Sequence, residues 1–177
     1  MIEHYITNSA RQHVTPTFQV DRIDSTHQPS GNRYVRDVVR HPGGACIVPI
    51  DGDQVICVEQ YRPALERTVL EIPGGRINQG ESPEEAAVRE LREEAGYVAE
   101  NASLMMVCHA VPDFSDWKAY LFVSTNVRLE TRTHLDSEIP TKVRPISFGD
   151  VDRLIEEGAL FDAKTVIGLL LARSYCV

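Results

Sequence analysis

A chain of 177 residues suits one domain and can bury a core of its own. Hydrophobic residues make up 42% and charged residues 25%, an ordinary globular mix, and a formal net charge of -8 argues against nonspecific nucleic-acid binding. No 18-residue apolar run occurs and the opening MIEHYITNSARQH lacks the apolar stretch of a signal peptide, so a cytoplasmic protein with no membrane partner is expected.

In chain order, TFQVDRI at 17–23 reads as a strand and PSGN at 29–32 as a turn. RYVRDVVR at 33–40 is a second strand, broken by HPGG at 41–44. ACIVPI at 45–50 is the apolar run of a buried strand, and Asp51-Gly52 turns it back into VICVEQY at 55–61. TVLEIPGG at 68–75 is a further strand. The period then becomes helical over 82–95. Ser82 is the N-cap, Pro83 the first helical residue, Glu85 completes a capping box, and Gly96 fills the left-handed C′ position. Strands follow at 102–108, 118–125 and 142–147, and helices at 150–158 and 162–174, the last with its period set by Val166, Leu169, Leu170 and Arg173. The predicted fold class is α+β: a mixed, largely antiparallel sheet with helices on its sides.

The cysteines at 46, 57, 108 and 176 never take C-x-x-C spacing, so free thiols in a reducing compartment are expected rather than zinc. The histidines are scattered without H-E-x-x-H or similar spacing.

The segment GRINQGESPEEAAVRELREEAGY at 75–97 crowds together Glu81, Glu84, Glu85, Glu90, Glu93 and Glu94, with Arg89 and Arg92 between them. Projected at about 100° per residue, Ala87, Val88, Leu91 and Ala95 fall on a face that can pack on the sheet, with Glu90, Glu93 and Glu94 on the opposite arc. Glu90 and Glu94 stand at i and i+4, where like charges repel unless a divalent cation bridges them. The competing reading is a solvated surface helix with an Arg89–Glu93 ion pair.

The order of these residues resembles the Nudix hydrolase signature, G-x5-E-x7-R-E-U-x-E-E-x-G-U with U a bulky apolar residue. Gly75, Glu81, Arg89-Glu90-Leu91, Glu93-Glu94 and Gly96 fill the fixed positions, and Tyr97 takes the final apolar place. The resemblance implies an α/β/α sandwich with a catalytic loop-helix-loop, and hydrolysis of a nucleoside diphosphate linked to another group with Mg²⁺ or Mn²⁺. It assigns metal ligation to Glu90 and Glu94, support of the metal to Glu81 and the Gly74 carbonyl, a catalytic place to Glu93, and a glutamate-holding role to Arg89.

VEQYRPALERTVLEIPGG at 58–75 looks like the matching segment of the ADP-ribose and nucleoside-diphosphate-sugar pyrophosphatases, which implies substrate contacts by Arg62 and Glu71. RDVVRHPGG at 36–44 resembles the end of their N-terminal strand region, which often crosses to a second subunit. This implies a homodimer, a substrate contact from Arg36, and a division into residues 1–43 and a hydrolase domain at 44–177. Pro112 and the helix at 162–172 extend the likeness. Trp117 stands where relatives commonly carry glutamate, and serves either to stack on a base or sugar or to pack in a core or interface. The general base of several relatives lies in a loop matching HLDSEIPTK at 134–142, with Glu138 the first candidate and Asp136 the second.

The expected activity is release of a nucleoside monophosphate and a sugar phosphate from a nucleotide sugar, ADP-ribose first. GDP-mannose or another nucleotide sugar comes next, then a nucleoside triphosphate. The non-enzyme alternative is a nucleotide-sugar sensor on the same fold.

Overall fold

The computed structural model describes residues 4–130 and 141–175. Its chain divides into two units: residues up to Gly43 with His109–Lys118, and Gly44–Cys108 with the residues from Ala119 onward.

The first unit is an antiparallel sheet in sequence order, β1 (His4–Val14), β2 (Gln19–His27) and β3 (Asn32–Arg40). Bulges interrupt the β1–β2 ladder between Ile6 and Asn8 and between Arg11 and His13. Segment 109–118 runs beside β3, where Val39 donates to the Phe114 carbonyl and Asp116 donates back to that of Val39. Asp21 is buried and accepts from Arg11 Nε at 3.1 Å and Arg40 Nε at 3.4 Å, while Arg40 Nη1 donates to Asp116 at 3.0 Å. Ile23 is the buried apolar residue among the described residues of this unit, and Ile6, Val14 and Val35 are exposed. Arg36 is exposed on β3 and lies over the Tyr34 ring; Trp117 is half-buried, its amide donating to Ser115 Oγ.

The second unit is built on a mixed sheet. Its central path runs β12 (Thr141–Ser147), β5 (Gln54–Arg62), β4 (Gly44–Asp51), β10 (Ala119–Ser124) and β9 (Ser103–Cys108). β6 (Arg67–Glu71) pairs with β5, and β7 (Gly74–Arg76) with β4. β4 and β10 are parallel neighbours, and both are nearly continuously buried, as strands covered on two faces must be. β8 (Tyr97–Ala99) and β11 (Val127–Leu129) form a separate antiparallel pair.

Alternation along β4 sends its side chains to two layers. Ala45 and Ile47 join Ile56, Val58 and Phe122 beneath Ala86, Ala87, Leu91 and Ala95 of α1 (Pro83–Ala95). Val48 faces the other way, toward α3 (Ala163–Ala172), which follows the short α2 (Val151–Glu156). A Cβ on Gly168 of α3 would lie 3.2 Å from Val48 Cγ2 and 3.1 Å from Ile72 Cδ1, so the small residue brings the helix close to the sheet. Helices on both faces of the sheet make the α/β/α sandwich that the resemblance implies.

α1 starts and stops as its sequence predicts. Ser82 Oγ accepts from the Glu85 amide, Glu85 accepts from the Ser82 amide, and Gly96 takes φ 70°. Other expectations need correction. Glu94 does not lie opposite Ala87 but is buried beside it, because seven residues at 3.6 per turn come back to within about 20°. Ala86 is buried where Val88 was expected, and Val88 is only half-buried. The buried face of α3 is Thr165, Gly168, Leu169 and Ala172, with Leu170 exposed. Three consecutive leucines hide the true period there. The strand expected at 68–75 is two strands, the one expected at 17–23 runs instead over Gln19–His27, and the helix expected at 150–158 is only Val151–Glu156. β1, β8 and β11 had no clear apolar alternation to announce them.

Candidate active site

The site grows from the turn where β6 hands over to β7 and from the face of α1 that looks at it. Gly74 and Gly75 open β7, held against β4 by the pairs Gly74–Cys46 and Gly75–Ala45. The Gly74 amide donates to Glu94 Oε2 at 3.0 Å. A Cβ on Gly75 would stand 2.2 Å from Glu90 Oε1, so only glycine lets that carboxylate lie against the backbone. Glu90 and Glu94 are therefore backed by two consecutive glycines, one helical turn apart.

Arg89 organises the remaining carboxylates. Its Nε and Nη2 donate to the two oxygens of Glu81 at 2.7 and 3.1 Å. Nη1 donates to Glu90 at 2.8 Å and to Glu93 at 2.9 Å, and Nη2 also reaches the Arg76 carbonyl at 2.9 Å. Glu81 accepts in addition from the Asn78 amide at 2.9 Å, which fixes the loop ahead of the helix. The Arg89–Glu93 ion pair of the competing reading exists, but as one contact in a network that spans loop and helix.

The electrostatics separate these glutamates. Arg89 holds Glu81 below the ordinary carboxylate value, against the opposing effect of burial. Burial raises Glu90, with Arg89 pulling the other way. Burial raises Glu94 furthest, to about 7, partly countered by the Gly74 amide and reinforced by the charge of Glu90. Glu94 Oε1 accepts at 3.4 Å from Gln60 Nε2, a neutral donor that does little to offset the burial.

Arg62 and Glu71, both expected to meet substrate, meet each other. Arg62 Nε and Nη2 grip the two Glu71 oxygens at 2.7 and 2.8 Å. Glu71 also accepts from Lys164 Nζ, which in turn lies 2.8 Å from Asp162 Oδ2. Gln60 and Lys164 escaped sequence reasoning. The one sat inside an apolar strand, VICVEQY, and the other opened an otherwise apolar helix; a polar residue in so apolar a stretch is the signal that could have found them. Glu138 and Asp136 lie outside the described residues. Arg36 belongs to the first unit.

Among the described residues no three His, Cys, Asp or Glu side chains form a cage that could hold a metal by themselves. The donor set still fits a hard divalent cation of the kind that takes one or two carboxylates and fills its shell with substrate oxygens and water. Two poorly solvated carboxylates, Glu90 and Glu94, side by side against a glycine backbone, are held close despite their mutual repulsion.

The NUDIX domain family matches residues 40–166 of the chain. The chain belongs to the Nudix family. Among similar Nudix proteins is an ADP-ribose pyrophosphatase of Bacillus subtilis, 33% identical over 83% of this chain and 80% of that protein. A methanol dehydrogenase activator of Bacillus methanolicus is 32% identical over 84% of this chain and 81% of its own length. A crystal structure of an ADP compounds hydrolase superposes with a TM-score of 0.84 at 25% identity, covering 98% of this chain and 94% of that one. This chain is accordingly a Nudix hydrolase by family, and its helix α1 is the Nudix helix. No helix among the described residues is long and apolar enough to cross a membrane.

Proposed function

We propose that this chain hydrolyses ADP-ribose, adding water across the diphosphate linkage to give AMP and ribose 5-phosphate, with Mg²⁺ or Mn²⁺ as cofactor. The observation that carries the reading is the pair Glu90 and Glu94, set one turn apart and backed by Gly75 and Gly74. The likeness to the Bacillus subtilis ADP-ribose pyrophosphatase supports the choice of substrate.

Glu90 and Glu94 would hold the metal, with Glu81, Glu93 and the Gly74 carbonyl as the further donors within this constellation. A bound divalent cation would neutralise phosphate charge and make water more nucleophilic. Arg89 orients Glu81, Glu90 and Glu93 by four hydrogen bonds and is itself anchored by a fifth to the Arg76 carbonyl. Arg62 presents a guanidinium to the diphosphate, and Glu71 fixes its direction. Arg36 is the proposed contact from the N-terminal region, and Glu138 the proposed general base.

The partner is a second copy of the chain. The three-stranded sheet of the first unit buries little apolar surface of its own and leaves Ile6, Val14 and Val35 exposed, which favours a homodimer. The described cysteines, Cys46, Cys57 and Cys108, are free thiols, which supports a reducing compartment such as the cytoplasm.

A second reading, hydrolysis of other ADP compounds, is favoured by the likeness to the ADP compounds hydrolase. Mass spectrometry of products from ADP-ribose, NADH, diadenosine polyphosphates, GDP-mannose and dNTPs separates the possibilities. Preferred cleavage of ADP-ribose supports the first reading; preferred cleavage of another compound in the panel replaces it.

A further inference from the structure

Four charged side chains alternate in sign behind the site: Arg62, Glu71, Lys164 and Asp162. Glu71 keeps only 3% of its side chain exposed, Lys164 15%, Asp162 23% and Arg62 33%, so the row is most buried at Glu71 and emerges furthest at Arg62. Its anionic end is already satisfied. Asp162 caps α3, accepting from the Thr165 amide at 3.0 Å at the positive end of the helix. Its cationic end is Arg62, which spends its Nε–Nη2 edge on Glu71. Among the described residues the Nη1 corner of the guanidinium has no hydrogen-bond partner.

An Arg62–Glu71 pair alone would be electrically neutral and a poor attractor for a diphosphate. Lys164 changes that balance, because its ammonium shares the Glu71 carboxylate from the other side. It remains a cation there: burial pulls its pKa down, but Glu71 and Asp162 more than reverse this and raise it. Lys164 opens α3, and the neighbouring Thr165 Oγ1 accepts from the Ile72 amide at 3.1 Å, tying the helix to the residue after Glu71. The helix start, the Glu71 carboxylate and the Arg62 fork are thus one mechanical unit spread over three elements.

We infer that Lys164 is a positioning residue for the diphosphate: by holding and partly neutralising Glu71, it aims Arg62 and leaves that guanidinium positive toward the substrate. The inference rests on the reading of Arg62 as a diphosphate contact, and the probe is chosen to be independent of the base and sugar.

The test is a double-mutant cycle on binding of methylenediphosphonate, a diphosphate analogue whose P–C–P bridge cannot be hydrolysed, by calorimetry. It uses the full chain, Lys164→Met, Arg62→Ala and the double variant, with ADP-ribose turnover followed in parallel. Lys164→Met should weaken binding about tenfold, and by less than about twofold once Arg62 is already alanine. With ADP-ribose it should raise KM by a similar factor and leave kcat within about threefold. Should Lys164→Met fail to fold, Lys164→Gln, which keeps a hydrogen-bond donor toward Glu71 without the charge, reads the same coupling and carries the same expectation. An undiminished loss in the Arg62→Ala background overturns the inference, as does no loss at all or a wild-type chain that does not bind the probe. Coupling on the diphosphonate without turnover of ADP-ribose supports the role of Lys164 and overturns the choice of substrate instead.

Discussion

The Glu90 carboxylate occupies the space where a Cβ on Gly75 would stand, its Oε1 2.2 Å from that position. The glycine is required by a side chain and not by its own backbone angles. Gly75→Ala should therefore push Glu90 out of register with Glu94 while the sheet persists. We expect turnover to fall on the order of 10²-fold, with metal affinity reduced and the circular dichroism spectrum unchanged. Turnover close to wild type would show that Glu90 does not need this position.

Arg89 makes a planar set of contacts that a point charge cannot copy. Arg89→Lys should keep the charge, lose the fork and lower turnover by about 10-fold or more. Arg89→Ala should also cost stability, on the order of 2 kcal/mol, because three carboxylates lose their shared cation. The figure stays below that of a fully buried pair because Arg89 keeps 26% of its side chain exposed. Steady-state kinetics of Arg89→Lys measures the first effect and urea denaturation of Arg89→Ala the second.

Glu94 makes stability depend on pH in an unusual direction. Its folded carboxyl titrates near 7, above the ordinary 4.5, so the folded metal-free chain holds this proton more tightly than the unfolded chain. Its contribution is present in full below about 4.5 and is lost as pH rises through about 7. Glu94→Gln should flatten that decline in melting temperature between pH 5 and 8. A divalent cation should raise the melting temperature of the wild type more at pH 8 than at pH 5.5, since it competes with the proton.

The start of the Nudix helix can be tested apart from the chemistry. Ser82→Ala removes the acceptor for the Glu85 amide and should cost about 1 kcal/mol. Leu91→Ala opens a cavity in the layer between α1 and the sheet, and should cost about 2–5 kcal/mol. Chemical denaturation reads both, and Ser82→Ala should retain turnover.

Much of this molecule could be read before its structure. Ser82, Pro83, Glu85 and Gly96 bracket a helix by local rules, and the structure keeps every one of them. The spacing of Glu81, Arg89, Glu90 and Glu93 likewise foretold a cluster, and in the structure the one guanidinium hydrogen-bonds all three glutamates. What stayed hidden depends on contacts between residues distant in the chain. Gln60 reaches Glu94 across 34 positions, and Lys164 reaches Glu71 across 93. Only the folded sheet brings them together, so no local pattern encodes the meeting. The misplacement of Glu94 had a different cause: its charge suggested the solvent side, whereas the helical repeat sends it inward beside Ala87.

Hydrolysis at the Glu90–Glu94 site is decided by product analysis of ADP-ribose incubated with Mg²⁺ and either the wild-type chain or Glu94→Gln, by mass spectrometry in ¹⁸O-labelled water. AMP and ribose 5-phosphate are expected, one of them carrying a single ¹⁸O, with turnover lowered on the order of 10²-fold or more in a folded Glu94→Gln variant. Equal turnover by the two proteins, or no hydrolysis by the wild type, would contradict it.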